Sequence, residues 1–139
     1  MSRHLIALTA MALLCAAAAF PAANLLAERR LAHVPVNEVV SVDCALEKST
    51  PPSALVKAKG RVTTGGYTNP RLVMVFDVVA PLDGIQDFLF SVDPPALDMV
   101  VPRVNTEHET PEFRIERIPS WMKGVRVGSA TNRIEKVCS

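Results

Sequence analysis

The chain carries almost no surplus of charge: 15 Lys and Arg stand against 14 Asp and Glu, a formal net charge of +1. No basic stripe runs through it, so the electrostatic footprint of a nucleic-acid binder is missing. Nucleic acid is not an expected partner. The spacings that carry chemistry are missing too. There is no C-x-x-C pair, which excludes a thiol–disulfide exchange centre. No serine sits in a G-x-S-x-G elbow, and there is no H-E-x-x-H stretch. No convincing long helix, internal repeat or low-complexity tract is visible. A chain of 139 residues has room for one domain. It is read as a non-enzyme, with no catalytic residue, metal ligand or cofactor assigned.

What is present begins with a targeting segment, MSRHLIALTAMALLCAAAAFPAANLLAERR. Arg3 and the α-amino group make a positive n-region, Leu5 to Phe20 an apolar h-region, and small residues follow. That is the order of a secretory signal. Cleavage before Phe20, after Ala23 or after Ala27 is compatible with it. An uncleaved anchor competes, because Leu5 to Leu26 is long enough to span a bilayer. Its alanine-rich second half weakens insertion, and Arg29 and Arg30 would lie on the wrong side for the positive-inside rule. Membrane contact is expected only through this segment, if it stays uncleaved. Leu14 stands where a lipid-modified cysteine needs a small residue, so Cys15 is assigned to the discarded signal. The organisation is read as a signal peptide over 1–23, a flexible leader over 24–35 and one domain over 36–139. The expected location is periplasmic or secreted.

Two cysteines remain after that segment, Cys44 and Cys138. An even pair in an exported chain reads as a disulfide. It closes a loop of roughly 90 residues, for which chain entropy sets an upper figure of about 4–5 kcal/mol.

Strand signals recur at intervals of roughly ten residues. Val39 to Leu46 alternates, placing Cys44 on the face of Val40, Val42 and Leu46. Ala54 to Val62 alternates better: Ala54, Val56, Ala58 and Val62 face one way, and Leu55, Lys57, Lys59 and Arg61 the other. Arg71 to Val79 is apolar on both faces and reads as a central strand. Gln86 to Val92 sets Phe88, Phe90 and Val92 on one side. Leu97 to Val104 is a further candidate, interrupted by Pro102. Glu112 to Ile118 points Phe113 and Ile115 inward. Gly124 to Ser129 and Arg133 to Val137 make a last hairpin, turned by Ala130, Thr131 and Asn132. Asp83-Gly84 offers a positive-φ turn position. The fold class is all-β: a two-sheet immunoglobulin-like or Greek-key sandwich of about seven to eight strands, preceded by an N-terminal signal helix.

The most distinctive loop is TTGGYTNP, residues 63–70. Thr64, Gly65, Gly66, Tyr67 and Asn69 offer main-chain amides and an aromatic anchor to a partner, with Trp121 as a further contact. The competing reading packs Tyr67 and Trp121 into the fold. Glu107, His108 and Glu109, with Glu112 nearby, are read as a solvated polar loop. Pro111 would break the helix that a metal motif needs, and adjacent strand residues point to opposite faces.

GRVTTGGYTNPRL, PLDGIQDFLFSVDPP and KGVRVGSATN together resemble a family of small uncharacterised bacterial exported β-sandwich proteins. The resemblance implies fold and export and no activity. TTGGY also resembles the NPTTGY-type loop of chagasin-like cysteine-protease inhibitors, and Arg117 to Trp121 lies where those place an RPW loop. Asn69-Pro70 follow the threonines here, an extra glycine separates Thr64 from Tyr67, and the arginine and tryptophan are not contiguous with the proline. The expected function is an exported, non-enzymatic binding or accessory protein whose partner is a protein or envelope component. The alternative is a peptidase inhibitor acting through loops 63–70 and 117–121, which requires both loops at one end of the sandwich.

Overall fold

The computed structural model describes residues 33–139. The expected signal peptide and the leader as far as residue 32 lie outside the described residues. Among the described residues nine strands form: β1 (Val34–Pro35), β2 (Glu38–Glu47), β3 (Ser53–Val62), β4 (Thr68–Met74), β5 (Ile85–Asp93), β6 (Thr106–Glu109), β7 (Phe113–Ile115), β8 (Gly124–Gly128) and β9 (Arg133–Val137). No helix occurs among the described residues.

The strands make two sheets. In one, β5 carries β4 on one edge and both β1 and β8 on the other, and β9 follows β8. In the second, β3 carries β2 on one edge and both β6 and β7 on the other. All pairs are antiparallel except β5 with β8. The all-β, two-sheet expectation therefore holds, and a sandwich accounts for the layering.

The core lies between the sheets. Val56, Ala58 and Val62 of β3 pack with Phe88, Phe90 and Val92 of β5 and with Val125 and Val127 of β8. Alternation in β3 and β5 is as the sequence implied, because each strand has one face on the core and one outside. Gly60 matters here: a Cβ at that position would come within 2.7 Å of the Phe90 ring and 3.0 Å of Val36. Its absence lets the ring lie on the β3 backbone.

Three strand readings need correction. A bulge between Val39 and Ser41 shifts the phase of β2. Val39, Val42 and Cys44 are buried, whereas Val40 and Leu46 are exposed. The stretch Arg71 to Val79 is no central strand. Its ordered part, β4, pairs with β5 alone and sits at an edge. Leu97 to Val104 forms no strand and joins β5 to β6 as an exposed connection. In turn, β1 begins the sandwich two residues ahead of the expected boundary at 36. The polar stretch at 107–109 belongs to β6.

β6 and β7 are two pieces along one edge of β3, broken at Pro111, which has no N–H for the ladder. Thr110 bridges the break. Its hydroxyl accepts the Ala58 N–H at 3.0 Å, and its own N–H donates to the Ala58 carbonyl at 2.9 Å. The final hairpin is pinned to β2 by Asn132. The side-chain carbonyl accepts the Val39 N–H at 2.8 Å, and the side-chain amide donates to the Val39 carbonyl, also at 2.8 Å. Asn132 thus satisfies the backbone beside the bulge.

β2 and β9 are neighbours and close one long side of the sandwich. The disulfide between Cys44 and Cys138 crosses this seam. Leu46 N–H donates to the Ser139 carbonyl at 3.0 Å, and Ser139 N–H to the Cys44 carbonyl at 3.3 Å. The other long side, between β4 and β7, has no such hydrogen bonds or disulfide among the described residues.

Candidate functional site

A cleft of about 290 Å³ opens on that second side. Its floor is Met74 of β4, Gln86 of β5 and Ile115 of β7, so it reaches the space between the sheets. One wall is the β4–β5 connection, with Phe76, Asp77, Val79, Ala80 and Pro81. The other is the β7–β8 connection, with Arg117, Pro119, Trp121 and Met122. Apolar side chains dominate, and Asp77, Gln86 and Arg117 supply a few polar groups. That balance is typical of a recognition cleft.

Both ends of the first wall are held. At its start, the Gln86 side-chain amide donates to the Val75 carbonyl at 2.7 Å, and Val75 N–H donates to the Asp87 carbonyl at 3.0 Å. At its end, Asp83 accepts from Arg126 at 2.7 Å and from the Ile85 N–H at 3.0 Å. Those hydrogen bonds, Arg126 first, hold the Asp83 carboxyl below the ordinary carboxylate range. Arg126 also meets Asp87 and Glu135 across β5 and β9. Hydrogen bonding with Asp83 leads the set that keeps its guanidinium above the ordinary value. Gly84 turns the chain at φ +73°, as Asp83-Gly84 suggested.

Between these anchors the wall exposes large apolar groups. Phe76 is 85% exposed, and Val78 and Leu82 are fully exposed. Scattered apolar residues are ordinary on a surface, but a run of them beside a cleft marks an interaction site. The sequence did contain this signal. An apolar run on both faces of Arg71 to Val79 fits an exposed interaction segment as well as a central strand, and periodicity does not separate the two.

The residues expected to bind a partner do not converge. Thr64 to Tyr67 lie at the end of the sandwich where β3 and β5 finish, since Thr68 pairs with Asp93. Trp121 lies at the opposite end, where these strands begin: Ile118 N–H donates to the Pro52 carbonyl, and Lys123 N–H to the Gly84 carbonyl. Loops 63–70 and 117–121 therefore cannot enter one cleft together, and the two-loop wedge of an inhibitor does not form. Much of the 63–70 loop is engaged internally. Tyr67 is half-buried against the core, and Gly65 N–H donates to the Pro102 carbonyl at 2.9 Å. Asn69, at φ +53°, donates its side-chain amide to Asp93 at 3.1 Å. Trp121 is the expected contact residue that lines the cleft.

Neither His33 nor His108 lines the cleft. His33 meets Asp93 at 2.6 Å, and Asp93 also accepts from Arg71 at 2.8 Å. Along β6, Glu107 pairs with Arg61 and Glu109 with Lys57. Lys57 holds the Glu109 carboxyl below its ordinary range. His108 lies between these two acids in the strand and so points to the other face. Among the described residues, no three His, Cys, Asp or Glu side chains gather at a metal-sized site. Comparison with known proteins finds no matching family model, curated relative or solved structure.

Proposed function

We propose that this chain is an exported, non-enzymatic binding module that takes an extended apolar segment of a partner protein into the cleft beside Trp121. The observation that carries this reading is the apolar wall from Phe76 to Leu82. It stands exposed over a cleft that opens between the sheets. An apolar segment entering the cleft would cover this wall and Trp121 together, and Arg117 and Asp77 at the mouth would select its polar groups. The Cys44–Cys138 disulfide supports an oxidising compartment, and the order of the first thirty residues supports export into it.

Trp121 is the single tryptophan of the chain, so its fluorescence reports on the cleft alone. Titration with uncharged peptides rich in Val, Leu and Phe is expected to shift Trp121 emission to the blue and to saturate. Val79→Asp, at an exposed wall position, is expected to weaken binding about tenfold or more while the melting temperature stays put. Emission that ignores every such peptide would remove the reading.

A further inference from the structure

Among the described residues the outer edge of β4 pairs with no strand, and this edge with the three residues after it reads as its own complement. Residues 71–77 run Arg-Leu-Val-Met-Val-Phe-Asp. Pair this segment antiparallel with a copy of itself about Met74, and Arg71 faces Asp77, Leu72 faces Phe76, and Val73 faces Val75. Opposite charges then meet at both ends, with apolar residues between.

The backbone is phased for this pairing. In an antiparallel ladder, alternate residues direct N–H and C=O towards one neighbour and the rest towards the other. Val75 N–H bonds the Asp87 carbonyl, so Val75, Val73 and Arg71 face β5. By the same alternation Leu72 and Met74 direct theirs to the open edge, and Phe76, two residues past the end of β4, has the same parity. Pairing about Met74 uses those three residues and no others. The outward face agrees. Val73 and Val75 are exposed at 43% and 42%. Arg71 engages Asp93 through one guanidinium nitrogen, which leaves further donors for a second carboxylate.

Other edges of the fold are blunted. β2 and β9 close on each other. β6 is lined by Glu107 and Glu109 paired with Arg61 and Lys57, and Pro111 ends it. β4 has no lysine, and its one proline, Pro70, stands before the self-complementary segment. We infer that a second copy of this chain adds to β4, forming a two-fold dimer in which the β5-containing sheets of both copies become one. This does not rest on the cleft reading: Val73, which does not line the cleft, tests the dimer alone.

The purified full chain is followed by sedimentation equilibrium from about 1 to 300 µM. The wild type is expected to convert to twice the chain mass as concentration rises. Val73→Lys places a charge on the apolar strip at a position that tolerates it in the monomer. It is expected to weaken association at least about tenfold with the melting temperature of the dilute protein unchanged. Asp77→Lys, which sets like charges opposite at both ends, is expected to weaken it about five- to tenfold. Met74→Cys brings two thiols together across the axis, at the Cα spacing of about 5.5 Å that a disulfide accepts. It is expected to oxidise to a covalent dimer, whereas Thr131→Cys on the far turn is not. A wild type that stays monomeric throughout overturns the inference. So does a Val73→Lys chain that associates like the wild type. A monomer whose Leu72 and Met74 amides are protected only by an unrelated peptide also overturns it, by assigning the edge to another protein.

Discussion

Along one long side of the sandwich, β2 and β9 are joined by a disulfide, by backbone hydrogen bonds to Ser139 and by the Asn132 clamp. Along the other, β4 and β7 stand apart over a cleft, flanked by exposed apolar residues. One core serves both sides, so the difference lies in what covers its margins. The closed side is tied at both ends, by the disulfide with the Ser139 bonds and by the Asn132 clamp. Among the described residues, the open side leaves the β4 edge unpaired and a wall of Phe76, Val78, Val79 and Leu82 uncovered. A small domain that must stay folded while exposing apolar surface gains from this division, because a covalent seam on one side tolerates a weaker one on the other.

Removing the disulfide with Cys44→Ser and Cys138→Ser acts on a sequence separation of 94 residues. The expected loss is about 4 kcal/mol, seen as a lower urea midpoint. A loss near zero would mean that the closed seam does not depend on it. Asn132→Ala leaves the Val39 N–H and carbonyl without their partners, and about 2 kcal/mol should be lost in the same measurement. Val79→Asp on the open side should change stability by no more than about 0.5 kcal/mol while binding falls. A large loss of stability there would make the wall structural.

The smallest effect concerns pH. Asp83 is held below its ordinary pKa by Arg126, so its contribution is present above the unfolded carboxylate range and fades as pH falls through its folded value. Asp83→Asn should flatten the acid side of the melting-temperature profile and loosen the wall, read as a Trp121 emission that no longer changes with acid. An unchanged profile would detach Asp83 from the wall.

Much of this was legible in the residues. Strict alternation in Ala54 to Val62 and the Phe88, Phe90, Val92 stripe identify two strands with one face on the core, and only the structure shows that they are the central ones. The lone cysteine pair identified the seam. What failed was phase and position. The bulge beside Val39 exchanges Val40 for Val39 at the core, and its signal lies in the Asn132 clamp, over ninety residues away. Arg71 to Val79 looked central because an apolar exposed edge and a doubly buried strand share one composition. TTGGYTNP stands out through its glycines and tyrosine, but the proline-rich connection after β5 packs against both glycines and Tyr67 turns to the core. Trp121 was singled out as a contact residue, though its place at the opposite end was not visible.

The central claim is that recognition belongs to the open side. An NMR titration of the isotope-labelled protein with an uncharged apolar peptide tests it most directly. Saturating shifts are expected at the Trp121 indole N–H, at the Met122 methyl and along Phe76 to Leu82, with Thr64 to Tyr67 and the β2–β9 seam unmoved. Shifts confined to Thr64 to Tyr67, or spread along the closed seam, would contradict it.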